Sequence, residues 1–394
     1  MKYMPIVMPE DIDKYFYNRT NEIELLNANL SLLEKGIPNQ YLLTGYRGIG
    51  KTSLLKKILK HQPKKYLTTY IDLSAIYGQQ KGKITEEELI KEILHQIEET
   101  LEENSTTLNK IKEKLIKNLN QLKLKNYTFN NTSLHDIPIP TITENYSKLS
   151  KFVMELPQKI VDTIDEIKGY IIVIDEFQLL KTLENPEAFF WLIRSYTQKQ
   201  FNVSYIFTGS VSNTSEIITM INGQTGAFGG RMLQININPF TKEQTKNYID
   251  EKSNNIKFTP EGFERFYKCT RGIPAYINSF CNILPNNITC TPEIIKESMI
   301  LNIDNIAIMW LRVWGTLNRT EKELITLFVE YGSMNDKTIQ DKVDYTKITL
   351  NKYLEILSNK GIIDYSADKK YYLADEMLKT WLKIKKDTQG RYPQ

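Results

Sequence analysis

Cysteine is scarce in this chain of 394 residues: Cys269, Cys281 and Cys290 are the whole complement. An odd count without metal-ligand spacing argues against a disulfide framework and a cysteine-held zinc site, and predicts the reduced, buried thiols of a cytoplasmic protein. Long apolar runs are missing too. Met1–Met8 is apolar but shorter than a signal-peptide core and runs into Glu10, Asp11 and Asp13, and no later stretch approaches a membrane span, so a soluble protein without membrane contact is expected. Neither charge sign is in excess. With 51 basic and 47 acidic residues the formal charge is +4, which by itself points to no nucleic acid; a basic surface has to come from local clustering. No internal repeat or sustained heptad occurs.

One octapeptide dominates what is there. Gly45 to Thr52 fits G-x-x-x-x-G-K-[ST] at every fixed position, between the apolar run Tyr41–Thr44 and a helically spaced stretch, Ser53–Leu59. Glycines let the backbone wrap closely, so the N–H groups of Gly48, Gly50, Lys51, Thr52 and Ser53 can converge on phosphate oxygens at a helix N-terminus. Lys51 would reach the β- and γ-phosphates and the Thr52 hydroxyl would hold Mg2+. The plainer reading is a glycine-rich surface turn; the order strand, loop, helix weighs against it.

The length admits two or three domains. Asn21 with Glu24 predicts a helix start, with Ile23, Leu26, Leu30 and Leu33 on one face and Gly36 as its stop. Tyr66–Leu73 reads as a second strand ending before a Gly78–Gly82 turn, and Thr85 with Glu88 opens an amphipathic helix. Residues 104–145 read as an insertion, helical in period to Lys125 and then polar around Pro138 and Pro140. The run Tyr170–Glu176 is apolar up to Asp175, as a central parallel strand covered on both faces requires. Val203–Thr208 and Met232–Ile237 supply two more strands. Strands alternating with helices predict an α/β fold: a three-layer P-loop core with a parallel sheet over residues 1–240. Helix starts at Thr241 with Gln244, Thr259-Pro260 and Thr291-Pro292 predict an all-helical lid over 241–305. Over 306–394, helices at Glu321–Tyr331, Asp336–Val343 and Ile348–Ser358 precede two short strands, the layout of a winged helix.

A nucleotide triphosphatase needs a carboxylate at a strand end to share Mg2+ with the loop hydroxyl, and Asp175 fits that place. Glu176, just beyond the strand, could orient or deprotonate the attacking water; a solvated Asp-Glu pair ending a buried strand is the other reading. Ser210, with Thr208 in reserve, could sense the γ-phosphate from the neighbouring strand, or merely cap the next helix. Arg231, after Gly229 and Gly230, could supply charge to a transferring phosphoryl group in cis or to a neighbouring subunit in a homo-oligomer, or make a structural salt bridge.

Asn18 to Glu22, the loop with its Ser-Leu-Leu continuation, Asp175–Gln178, Thr208–Ser210, Asn238–Phe240, Arg271–Tyr276 and Tyr371–Asp375 together resemble the archaeal ATPase family. That family belongs to the AAA+-related STAND group and shares its architecture with archaeal replication initiators. The resemblance implies ATP as ligand, Gly272, Ile273 and Pro274 in a lid near the nucleotide, and adenine contacts near Asn18 and Arg19. Arg271 stands where the family favours glycine, and residues 104–145 have no counterpart in the pattern. Pro274 also reads simply as the first residue of a helix. Two uses of the winged helix follow. One is a switch, in which nucleotide state moves that unit against a protein partner. The other is binding of double-stranded DNA through Lys347, Lys352, Lys360, Lys369 and Lys370, diluted by Asp336, Asp341, Asp344, Glu355, Asp364 and Asp368. A scaffold that binds nucleotide without turnover is a third class.

Overall fold

The structure is a computed structural model that describes residues 4–103, 146–210, 216–253, 255–366 and 368–394. The expected insertion at 104–145 lies outside the described residues. Five strands, β1 (Tyr41–Thr44), β2 (Tyr66–Asp72), β3 (Gly169–Asp175), β4 (Val203–Thr208) and β5 (Leu233–Asn236), pair in parallel in the order β2-β3-β4-β1-β5. Alternate residues face two separate cores. Tyr41, Leu43, Ile171, Val173, Ile206 and Ile235 point to one, and Leu42, Tyr170, Ile172, Ile174, Tyr205 and Phe207 to the other. All seven residues of β3 are buried. Burial contributes about 1.5–3 kcal/mol for each large aliphatic side chain, which explains the unbroken apolar run before Asp175. Because β3, β4 and β1 are adjacent and co-directional, whatever follows their carboxyl ends is delivered to one edge.

Two local starts differ from expectation. The first long helix, Thr20–Leu30, begins before Asn21, and Arg19 occupies its N-cap position in the left-handed region (φ 68°) without a side-chain cap bond. Tertiary contacts of the Arg19 side chain, given below, override the local capping signal. β2 ends at Asp72, whose carboxylate accepts from Ser74 N (2.9 Å) and caps a helix, Leu73–Gln79, so Gly78 is helical rather than in a turn.

Beyond β5 the capping box of Thr241 and Gln244 and the caps at Thr259 and Thr291 open the helices Lys242–Lys252, Pro260–Thr270 and Pro292–Leu301; a further helix spans Pro274–Ile283. This part is not wholly helical. A short parallel pair, β6 (Lys257–Phe258) with β7 (Thr289–Cys290), ties two of its loops, and two-residue strands leave no periodicity to read. Helices Arg319–Tyr331, Asp336–Gln340 and Lys347–Asn359 then precede an antiparallel pair, β8 (Ile363–Tyr365) and β9 (Tyr371–Leu373), with Met334 bridging Tyr371. A final helix, Glu376–Gln389, starts from the Asp375 cap. One continuous apolar cluster joins this C-terminal unit to the preceding helices and to one face of the sheet. Among the described residues no helix is long and apolar enough to cross a membrane. Cys281 and Cys290 are buried, Cys269 is half-buried, and all three are free thiols.

Candidate nucleotide site

The loop after β1 turns through left-handed Gly48 (φ 75°) and Gly50 (φ 96°) into the helix Lys51–Lys60. That helix has neither a side-chain N-cap bond nor an acidic residue in its first turn, so its N-terminal dipole faces the loop without an anion of its own. Gly48 is also a point of contact. A Cβ there would lie 2.7 Å from Ala275 Cβ and 2.8 Å from Met309 Cε, and Ala275 N donates to Gly48 O at 3.2 Å. The helix that starts at Pro274 therefore rests directly on the loop.

Lys51 is only 6 % exposed. Its Nζ donates to Gly45 O (2.9 Å), Tyr46 O (3.0 Å) and Ser210 Oγ (3.1 Å), which brings the end of β4 to the loop. Burial lowers its pKa to about 8, against the opposing pull of Glu176 and Asp175. The Thr52 hydroxyl donates to Asp175 Oδ2 at 2.8 Å, and Tyr70 OH donates to the same oxygen, while Asp175 Oδ1 accepts from Glu176 N at 2.8 Å. Burial raises the Asp175 pKa and the Tyr70 bond opposes that rise. Glu176 sits in the left-handed region (φ 54°), and its Oε2 accepts from the Gln178 amide. Thr208 lies opposite Asp175 on the sheet, buried, with its hydroxyl unpartnered among the described residues. Lys51, Thr52, Asp175, Glu176 and Ser210 thus converge. Tyr70 carries no signal in the sequence and Gln178 enters it only as the end of the Asp175–Gln178 motif, without a role, because only the pairing of β2 with β3 and the turn after Asp175 aim them inward.

A cleft of about 290 Å³ opens over the loop. Gly50, Lys51, Thr52, Ser53, Glu176 and Pro274 line it from below. The N-terminal segment Pro5–Pro9 closes one side, held by Asn278 Nδ2 donating to Pro5 O (2.8 Å) and Met4 N donating to Asn282 Oδ1 (2.7 Å). Nothing local in the sequence marks that segment. Arg19 also lines the cleft, but its guanidinium donates to Asn238 O (2.7 Å) and Ile49 O (3.3 Å) and lies over the Phe240 ring (4.7 Å), clamping the loop to the exit of β5. Asn18, left-handed at φ 61°, is not part of the lining.

Two arginines lie apart. β5 runs parallel to β1 with Leu233 beside Tyr41, so Arg231 stands at the amino edge of the sheet, across its length from the loop. It is exposed, in a hollow of about 380 Å³ shared with Trp191 and Arg194. Arg271, left-handed at φ 50°, ends the helix Pro260–Thr270 with its guanidinium 3.9 Å from Glu376.

Behind the loop a second cavity of about 880 Å³ separates Tyr46, Arg47 and Gln178 from Glu355, Asp364 and Tyr372 of the C-terminal unit. Arg47 lines both cavities. At the wall of the larger one Tyr276 OH donates to Asp375 Oδ2 (2.7 Å) and accepts from Trp310 Nε1 (2.7 Å). All three residues are buried.

A family model described as an ATPase domain predominantly from Archaea matches residues 16–280. The fold is similar to that of the Walker-type ATPase of Pyrococcus abyssi (TM-score 0.62, 18 % identity, covering 96 % of this chain and 99 % of that one). It is also similar to the Orc1 protein of Aeropyrum pernix, solved in complex with DNA (TM-score 0.52, 13 % identity, covering 98 % and 97 %). No curated protein matches the chain.

Proposed function

Because the chain belongs to the family of ATPase domains found predominantly in Archaea, we infer that the cleft over the Gly45–Thr52 loop binds ATP with Mg2+ and hydrolyses it. The carrying observation is the Thr52 hydroxyl placed 2.8 Å from Asp175 at the start of the loop helix, beside the buried Lys51 ammonium. Hard oxygen donors of this kind suit Mg2+, so Thr52 and Asp175 are the residues that would hold it. When bound, the ion neutralises charge on the β- and γ-phosphate oxygens. Lys51 exchanges its carbonyl partners for phosphate oxygens, and Ser210, now its third partner, reports on the γ-phosphate. Glu176 takes a proton from the attacking water, a role worth about 10²–10⁴ in rate. Lys51→Ala tests the reading: ATP binding and turnover should both be lost, and their survival would sink it.

The chain divides, in this reading, into a core over 1–240, a lid over 241–305 and a winged helix over 306–394, and works as a switch. Three consecutive lid residues support the coupling. Pro274 lines the cleft, Ala275 holds the loop and Tyr276 holds Asp375. A nucleotide that shifts the first shifts the last, and with it the C-terminal unit. Arg231 is too far from its own cleft to act in cis, so a phosphoryl-stabilising role places it at the cleft of a second copy.

A second reading, a DNA-binding protein regulated by ATP, draws on the likeness to an Orc1 protein solved with DNA. Lys347, Lys352, Lys369 and Lys370 are exposed, whereas Lys360 is committed to buried Glu321 (2.5 Å). A salt titration of duplex binding separates the two: no affinity at low salt removes the DNA reading.

A further inference from the structure

Gln178 is 7 % exposed and stands two residues beyond Glu176, in the short 3-10 turn Phe177–Thr182. Its amide nitrogen donates to Glu176 Oε2. Its other amide atom, Oε1, is buried and has no hydrogen-bond partner among the described residues. A buried side-chain amide that satisfies only its donor is costly, by about 1–3 kcal/mol for the orphaned carbonyl. An apolar residue of the same length would avoid that cost, so packing alone does not account for glutamine here.

The surroundings fix the amide in place. Gly209 presses against it so closely that a Cβ at that position would lie 2.1 Å from Gln178 Oε1 and 2.9 Å from Phe177 Cδ1. Gly209 N donates to Leu43 O (3.3 Å), and the next residue, Ser210, is the Lys51 partner. The amide is thus wedged between the carboxylate that follows β3 and the backbone that follows β4. On its far side it borders the large cavity beneath Ser358 and Gly361 of the C-terminal unit.

We propose that Gln178 is a positioning residue that holds Glu176 for water activation, an inference that rests on the ATPase reading above. With Oε2 pinned by the amide, Oε1 is the oxygen left to accept the proton as the water oxygen bonds to the γ-phosphorus and ADP departs with the electrons of the broken P–O bond. Fixing one oxygen removes the rotations that would turn the other away, and a misplacement of about 1 Å is worth about 10²-fold in rate.

The test is Gln178→Met, which keeps length and removes both amide atoms. Measured with Mg-ATP on the full chain, kcat should fall about 10–100-fold, with KM and ATP affinity within about twofold. The melting temperature should change little, since the lost bond to Glu176 is offset by relief of the orphaned carbonyl. In a Glu176→Gln background the same substitution should cost nothing further, because its effect runs through Glu176. An unchanged kcat, a rise in KM at constant kcat, or an equal loss in the Glu176→Gln background would each overturn the inference. Should Gln178→Met fail to fold, Gln178→Leu, which also lacks both amide atoms and adds no charge, decides on the same readings. Turnover that survives Lys51→Ala refutes the ATPase reading itself; turnover that requires Lys51 but ignores Gln178 refutes only this assignment.

Discussion

Tyr276→Phe removes one oxygen from the join between lid and C-terminal unit. That oxygen donates to Asp375 Oδ2 and accepts from Trp310 Nε1, each at 2.7 Å. A hydrogen bond to a charged group contributes about 1.5–3 kcal/mol and a buried N–H left without a partner costs about 1–3 kcal/mol. The low ends add to about 2.5 kcal/mol, and the near-complete burial of all three residues leaves little room for water to restore either bond. The loss depends on pH. Burial holds the Asp375 carboxyl above its ordinary range while the Tyr276 bond pulls it down, so the substitution raises it further. A carboxyl raised in the folded state contributes stability that is full below its unfolded pKa and is lost as pH rises through the folded value. The variant loses more over that interval, so its deficit is smallest in acid and complete once Asp375 is ionised. Urea unfolding followed by tryptophan fluorescence reads this region, because Trp310, Trp314 and Trp381 are buried in it and Trp191 is exposed elsewhere. A deficit below about 0.5 kcal/mol at neutral pH, or one that is larger in acid, would refute the reasoning.

Because burial lowers Lys51 to about 8, ATP affinity should fall above that pH, by up to about tenfold per unit as the ammonium is lost. Calorimetric titration across that range checks it, and a flat profile would show that Lys51 does not carry the phosphate charge. If Arg231 serves a second copy, Arg231→Ala and Lys51→Ala chains, each inactive alone, should regain turnover when mixed, since one keeps an intact cleft and the other an intact arginine. Absence of any recovery removes the role in trans.

Local signals carried most of the core. The apolar runs became the five strands, and the threonine caps opened the helices after β5 where proline or glutamine followed them. These features act within a few residues, which is the range a sequence displays directly. Arg19 shows where that range ends: its backbone conformation answers to the carbonyls of Asn238 and Ile49, 219 and 30 residues onward respectively, and so the helix begins ahead of the Asn21 signal. The roles of Tyr70 and Gln178, the N-terminal segment over the cleft and the pairing of Tyr276 with Asp375 likewise arise only when distant strands and helices meet. For Arg231 the residue type was legible; its place at the far edge of the sheet followed from the pairing of β5 with β1.

Arg47 borders both the small cleft and the large cavity, so the Gly45–Thr52 loop is a partition with two sides. Thermodynamics makes such a partition reciprocal: an occupant of the large cavity that alters ATP affinity by some factor has its own affinity altered by ATP by that same factor. A change in ATP affinity is therefore a gauge of occupancy on the other side. The gauge reads an occupant of the large cavity without an assay of the C-terminal unit itself.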